Sequence, residues 1–454
     1  MKLPPYPKYK HSGVEWFGDV PENWESKRFG YLFRFYSGGT PSTSESELWD
    51  GDLPWVSSKD MKAMVISDTE DHISEDAVRQ SSTCKLPAGS LLMVNRSGIL
   101  RHSIPAAIIT REMAINQDIR GCVPLNGVDS KFIAYLIEGN QSALLDLWRQ
   151  QGATVESLTF ESVKTTNLYL PDLAEQRSIA AFLDRETGLI DGLVAKKREL
   201  IERLKEKRTA LISRTVTRGL PPAAARATGL PENPPMKPSG LDWLGDIPAH
   251  WEVKPVKFVT RVGNGSTPSR DNSAYWDGGD YPWLNSSVVN QESVTEAEEF
   301  VTALALAECH LPRIQPPAVL VGITGQGRTR GMASTLLFEA TINQHLAYLK
   351  PLPSRADVGF LRRVFDMAYS FLRSESDGGG STKGAITCEQ IGAMRIPLPP
   401  LPEQAAIAAY LDVETAKLDA LLGKVEAAVE RLQEYRTALI TAAVTGKIEV
   451  TKVV

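Results

Sequence analysis

The chain repeats itself once, with a period of about half its 454 residues, and that repeat restricts its possible folds more than anything in its composition. GVEWFGDVPENWE at 13–25 returns as GLDWLGDIPAHWE at 240–252, TPS at 40–42 as TPS at 267–269, and WDGDLPWVSS at 49–58 as WDGGDYPWLNSS at 276–287. AINQD at 114–118 returns as TINQH at 341–345, LPDLAEQRSIAAFLDRET at 170–187 as LPPLPEQAAIAAYLDVET at 398–415, and RTALI at 208–212 as RTALI at 436–440. Solenoid units run roughly 20–50 residues, so a unit this long is a whole domain with a helical appendage. Such a duplication predicts near-twofold symmetry in the molecule and in whatever it binds.

Each copy has the same three parts. First come short β-like runs such as SLLMVN at 90–95 and AVLVGIT at 318–324, bounded by the turn residues LPAG at 86–89 and QPP at 315–317. A short helical stretch follows (130–148; 357–373), then a Gly-rich loop (QGAT at 151–154; DGGGSTKG at 377–384) and an extended segment ending in proline. The third part is a long helix opened by Pro171 or Pro402, where a proline costs no hydrogen bond. In the second copy Leu411, Leu418, Val425, Leu432 and Leu439 recur every seventh residue, and Leu421, Ala428 and Tyr435 are expected to fill the positions between. In the first copy Leu183, Ile190, Leu204 and Leu211 keep the same phase with Leu193 and Leu200 between, and Lys197 interrupts the seam. That is a coiled-coil pattern. The stretch 174–214 spans about 60 Å at 1.5 Å per residue, and two such helices in one chain predict an antiparallel pair. The expected architecture is α+β: two tandem-repeated α/β domains separated by two long helices pairing as an antiparallel coiled coil. The boundaries are 1–170 for the first domain, 171–218 for the central helix, 219–239 for a Pro/Ala-rich linker, 240–398 for the second domain, 399–447 for the distal helix and 448–454 for a tail.

Composition excludes several classes. No run approaches the roughly 18 apolar residues of a membrane span, the start MKLPPYPKYKHSG lacks an apolar signal core, and the four cysteines show no CxxC spacing. Together these predict a cytoplasmic protein with neither zinc ribbon nor disulfide framework. The net charge of −5 argues against bulk nucleic-acid binding. Two windows at equivalent places, 77–111 and 309–338, nevertheless contain no Asp or Glu, while the first holds Arg79, Lys85, Arg96, Arg101 and Arg111 and the second Arg313, Arg328 and Arg330.

Catalytic motifs do not survive inspection. NPPM at 233–236 has a methionine where a base-stacking ring belongs and no Gly-rich cofactor loop upstream, and PDLAEQ at 171–176 recurs as a helix start, which predicts capping. GNGSTP at 263–268 recurs as SGGTPS at 37–42 and is a repeated turn, and the six histidines lack metal-ligand spacing. What remains is two polar domains at a fixed separation, suited to a bipartite site on duplex DNA. The residue types matched to base edges and phosphates are Ser57, Ser58, Lys59, Asn95, Arg96, Ser97, Arg101 and His102, with Gln150, Gln151 and Thr154 in the glycine loop. In the second copy they are Asn285, Ser286, Ser287, Thr324, Gln326, Arg328 and Arg330, with Ser381, Thr382 and Lys383. The frames repeat closely while NRSGILRHSI and TGQGRTRGMA diverge, as two different half-sites would require. The tryptophan pairs Trp16/Trp243, Trp24/Trp251, Trp49/Trp276 and Trp55/Trp283 read as core anchors. A methyltransferase reading lacks a cofactor-binding βαβ unit. A pure scaffold reading predicts that replacing Arg96 and Arg328 leaves DNA binding unchanged.

The paired WxGDxPxxWE segments, the TPS turns, the INQ segments and the helix starts AEQRSIAAFLD and PEQAAIAAYLD resemble the specificity subunit of type I restriction–modification systems, from about Tyr6 to Thr445. The resemblance implies two target-recognition domains, each reading one half of a bipartite double-stranded DNA site. It implies helices that set the spacer and dock two methyltransferase subunits, with Leu183, Ile190, Leu204, Leu211, Leu411, Leu418, Leu432 and Leu439 as the partner and spacer positions. S-adenosylmethionine, ATP and Mg are then expected on partner subunits, with no catalysis and no cofactor or metal in this chain. Whether two restriction/translocase subunits accompany the methyltransferases stays open. The run 196–218 carries nine Lys or Arg against three Glu, suiting either a DNA backbone or a partner's acidic surface, or simply a solvated face with Glu–Lys pairs.

Overall fold

The computed structural model describes residues 4–150, 155–325, 327–377 and 384–450. The chain divides into two compact units, one comprising Met1–Arg198 with Glu426–Val454 and the other Glu199–Val425. Each unit thus joins a globular domain to one segment of each long helix.

In the first unit a five-stranded sheet runs in the order 33–37, 119–124, 91–94, 106–109, 65–66, antiparallel except for its last pair. A four-stranded sheet follows the order 71–73, 53–56, 113–115, 85–86. The central strand Leu91–Val94 is buried along its whole length, which explains why it reads as an unbroken apolar run rather than an alternation. In the second unit the order 260–264, 346–351, 318–322, 333–336, 293–294 repeats the large sheet, with Ala318–Gly322 as its fully buried centre. The smaller sheet has three strands, 299–301, 281–284 and 341–342. In both units a two-stranded ribbon (25–28 with 167–170; 252–255 with 395–398) leads the chain from the domain to its helix.

The long helices are Leu173–Arg218 and Leu401–Val444. Asp172 caps the first by accepting from the Glu175 amide (2.9 Å), as the sequence predicted. The neighbouring residue has a role that sequence reading missed. Gln176 is buried, accepts from the Asp129 amide (2.9 Å), and donates to the carbonyls of Gly127 and Pro171. Gln404 does the same with Asp357, Arg355 and Pro399. Each glutamine pins the helix start to the start of a domain helix, Ser130–Gly139 or Val358–Asp377.

The helix segments are antiparallel in each unit. In the first, Glu175 and Lys447 both hold the N-terminal arm, at Tyr6 and Phe17, while farther in Asp191 meets Arg436 (3.0 Å). In the second, Gly219 lies against Glu403 and Trp251, while farther in Arg208 meets Asp419 (2.9 Å). The heptad leucines fall on the seam as expected: Leu183, Ile190, Leu204, Leu411, Val425 and Leu439 are buried, and Leu211, Leu418 and Leu432 are half-buried. Lys197, on the same seam, is half-buried. The intervening layer differs from the expectation. Leu193, Leu200, Leu421 and Tyr435 are exposed and Ala428 only half-buried, and the layer is made instead by Thr187, Val194, Ile201, Thr415, Leu422 and Val429. The step from each heptad position is four residues, not three, and both steps return to the same face of a helix.

The stretch 219–239, read as a linker, carries a helix (Pro222–Thr228) and a strand (Met236–Pro238) that pairs with Asp246–Pro248. Ala225 and Leu220 join the second unit's core, so this segment is packed structure.

Candidate nucleic-acid interface

Three turns at the ends of neighbouring strands converge in the first unit: residues 56–60 after Leu53–Val56, 95–102 after Leu91–Val94, and 115–118 after Met113–Ile115. Backbone bonds link them, since Asn116 N donates to Val56 O (3.0 Å) and Asn95 N to Asp118 O (2.7 Å). Residues 156–158 bond to the second turn through Leu158 N to Asn95 O (2.9 Å) and Ser97 N to Glu156 O (3.0 Å).

The TPS turn is locked to this frame. A Cβ on Gly38 would stand 1.9 Å from Ile115 O, so only glycine fits, and Gly265 is confined likewise by Ile342 O at 1.7 Å. The indoles of Trp49 and Trp55 donate to Ser42 O and Gly39 O (both 3.0 Å), and those of Trp276 and Trp283 to Ser269 O and Ser266 O (3.0 and 3.1 Å). Each pair packs edge to face (5.1 and 5.2 Å between centroids). These tryptophans are structural anchors, as expected, and so are the fully buried Trp24 and Trp251; Trp16 and Trp243 are half-buried. The Thr40 hydroxyl donates to Gln117 Oε1 (2.6 Å), and Thr267 does the same to Gln344 (2.6 Å). This fixes the orientation of both exposed amides; the NH2 end of Gln117 is left available, while that of Gln344 lies 3.4 Å from His345 Nε2. Gln117 and Gln344 were not among the sequence candidates. The exact repeat of both T and Q in the two copies was the available signal.

The second unit repeats the backbone frame with different side chains. Ile323 N donates to His345 O (2.9 Å) and Ile386 N to Ile323 O (2.8 Å), matching the bonds of Asn95 and Leu158. Where Arg96 Nε donates to Asp118 (2.8 Å), Thr324 Oγ1 shares a hydrogen bond with His345 Nδ1 (2.6 Å). Asn285 caps its own turn by accepting from Ser287 N (2.8 Å), with Ser286 half-buried and Ser287 exposed.

The remaining candidates separate by burial. Ser58, Lys59, His102 and Arg328 are exposed, Ser97 is half-buried, and Arg101 is exposed and paired with Glu156 (3.4 Å). Gln150 is exposed and accepts from the Ser157 hydroxyl (2.9 Å). Ser57 and Arg330 are corrected: both are buried, and Ser57 donates to Asp60 (3.0 Å) to shape its turn. Gln151, Thr154, Gln326, Ser381, Thr382 and Lys383 lie outside the described residues. The acid-free window 77–111 is also less basic than it reads. Arg79, Lys85, Arg96 and Arg101 pair with Asp76, Glu75, Asp118 and Glu156, all from outside the window. The bond to Glu75 raises the Lys85 pKa. Among the described residues no group of three or more His, Cys, Asp or Glu could hold a metal, and no helix is long and apolar enough to cross a membrane.

A duplicated sheet frame that presents unlike turns at its strand ends, tied to long antiparallel helix segments, defines a paired recognition protein. The family described as "Type I restriction modification DNA specificity domain" matches residues 21–203 and again 248–431, and the chain belongs to it. The chain is 32% identical over 186 residues to the EcoR124I/EcoR124II specificity subunit of Escherichia coli, an alignment covering 41% of this chain and 44% of that one. It is 25% identical over 342 residues to the MjaIX specificity subunit of Methanocaldococcus jannaschii, covering 73% of each. Among solved structures, a chain from a study of complex assembly and conformational transition of the type I R-M system matches with TM-score 0.70 and 17% identity over 94% of this chain and 98% of its own. The HsdS subunit of Thermoanaerobacter tengcongensis matches with TM-score 0.54 and 16% identity over 96% of this chain and all of its own. These two likenesses are of fold.

Proposed function

We propose that this chain is the non-catalytic specificity subunit of a type I restriction–modification complex in the cytoplasm. Each globular domain reads one half of a bipartite duplex site. The long helices set the gap and dock two methyltransferase subunits, which carry S-adenosylmethionine; ATP and Mg belong to restriction/translocase subunits where these join. The observation that carries the reading is one backbone frame holding Arg96–Asp118 in one unit and Thr324–His345 in the other. Asp118 occupies only Nε of Arg96, and among the described residues the other two guanidinium nitrogens have no partner. That fork suits the O6/N7 edge of guanine. The seam leucines named by the resemblance are buried or half-buried within each unit, so we take the outer face of the helices as the docking surface. The large apolar side chains that the helices leave exposed include Leu189, Leu193, Leu200, Val413, Leu421 and Tyr435.

The test is co-expression with the methyltransferase subunit of a type I system, followed by genome-wide mapping of methylated bases. A split motif with one fixed gap is expected, and exchanging residues 20–160 for those of a relative should change one half only. Absence of methylation from an assembled complex with a competent methyltransferase would overturn the reading.

A further inference from the structure

The two RTALI segments present an arginine to equivalent places in the two units. Arg436, from the second long helix, bonds through Nε to Asp191 of the first long helix (3.0 Å) and through Nη1 to Glu138 of the first domain. Arg208, from the first long helix, bonds through Nε to Asp419 of the second (2.9 Å) and through Nη2 to Glu292 of the second domain (2.6 Å). Each arginine therefore bridges three elements: its own helix, the helix beside it, and the domain that does not lead directly into its own helix.

A second rung sits beside each one. Tyr135 of the first domain donates to Asp184 (3.0 Å) and is within hydrogen-bond reach of Thr187 (3.3 Å). The buried Arg363 of the second domain donates to the matching pair, Asp412 (2.7 Å) and Thr415 (3.2 Å). In the second unit Arg362 and Arg363 also reach Glu292 (3.2 and 3.4 Å). Each domain is thus held to both helix segments by paired, directional bonds.

We infer that Arg208 and Arg436 are positioning residues that fix the angle of each reading domain on the helices, and so restrict the complex to a single gap length. This rests on the proposed function above. Apolar packing between a domain and a helix is non-directional and tolerates small rotations, whereas a guanidinium fork shared between two carboxylates has one geometry. Half-exposed ion pairs add little to stability, so two of them at equivalent positions are better explained by orientation. The base-pair rise along a duplex is about 3.4 Å. A pivot that moves the reading turns by that much changes the gap by one base pair.

The experiment uses the co-expressed complex and reads the distribution of gap lengths among methylated sites. In Arg208→Ala and Arg436→Ala, methylation at gaps one base pair longer or shorter is expected to rise at least tenfold over wild type, with both half-motifs unchanged. Arg208→Lys and Arg436→Lys keep the charge but lose the fork, and are expected to relax the gap in the same direction by a smaller factor. If the wild type yields no split motif, the proposed function falls and this inference with it. If the wild type shows one fixed gap and the variants methylate the same gap more weakly, the proposed function stands and the positioning role is overturned. Failure of both the alanine and lysine variants to assemble would also overturn it, by showing that the arginines only hold the fold.

Discussion

Gln176 and Gln404 show how one buried polar side chain ties secondary structure together. Each satisfies one amide and two carbonyls. Gln176→Leu should leave these unpaired and destabilise the first unit by roughly 2–4 kcal/mol, read as a lowered urea midpoint with unchanged slope. Glu292 offers a pH handle. Burial pushes its carboxyl up, but Arg362, Arg363 and Arg208 outweigh that and hold its pKa below the ordinary value. Its stabilisation is therefore present above the ordinary glutamate range and lost as pH falls through the lowered value. Thermal melting of Glu292→Gln should consequently lose less than wild type between about pH 6 and about pH 3; equal losses would show that other groups dominate the acid limb. Arg96→Ala is expected to degrade one half of the methylated motif at a single position, at a cost of about 1–3 kcal/mol there, and to leave the other half intact.

At the scale of the element, the seven-residue period placed one layer of the seam correctly and left the other ambiguous. Positions three and four residues beyond a heptad leucine both lie near its face, so Leu421 and Leu422, or Val194 and Leu193, compete on equal terms until a neighbour is present. The structure decides for Val194, Ile201, Leu422 and Val429. Val429→Ala should therefore cost about 2 kcal/mol of stability. Leu421→Ala should change stability by less than about 0.5 kcal/mol while weakening methyltransferase capture in a pull-down. If the two substitutions behave alike, the assignment of inner and outer faces is wrong. In the basic run 196–218, Arg203 pairs with Glu199 and Lys205 with Glu202 along the helix, and Arg208 with Asp419 and Glu292. Part of that run is a solvated helix face with internal pairs, as one of the alternatives anticipated.

For the whole molecule, the net charge of −5 and the ion-paired window 77–111 bear on affinity. The isolated chain is expected to bind duplex DNA weakly and with a shallow salt dependence, because few phosphates are neutralised without partners. The assembled methyltransferase complex should bind tightly with a steep slope. Filter binding from low to moderate salt checks this, and a steep slope for the isolated chain would contradict it. The partition into two units also matters here. The first unit needs residues from both ends of the chain, Met1–Arg198 and Glu426–Val454, so cutting the chain after the first domain removes Arg436 and the helix segment that carries it.

The amino-acid sequence by itself determined the duplication, the two long helices, one seam layer, the tryptophan-anchored frame and the absence of recognisable catalytic motifs. These are carried by local periodicity and by an internal copy that can be compared position by position. Tertiary structure alone decided which acids pair with the basic window 77–111, that Ser57 and Arg330 are buried, that 219–239 is packed, and that Gln117 and Gln344 are presented by a threonine. It also decided which helix clamps which domain. The physical reason is range: hydrophobic period and turn chemistry act within a few residues, whereas Arg436 and Glu138 are neighbours only because the chain has folded back across nearly three hundred residues.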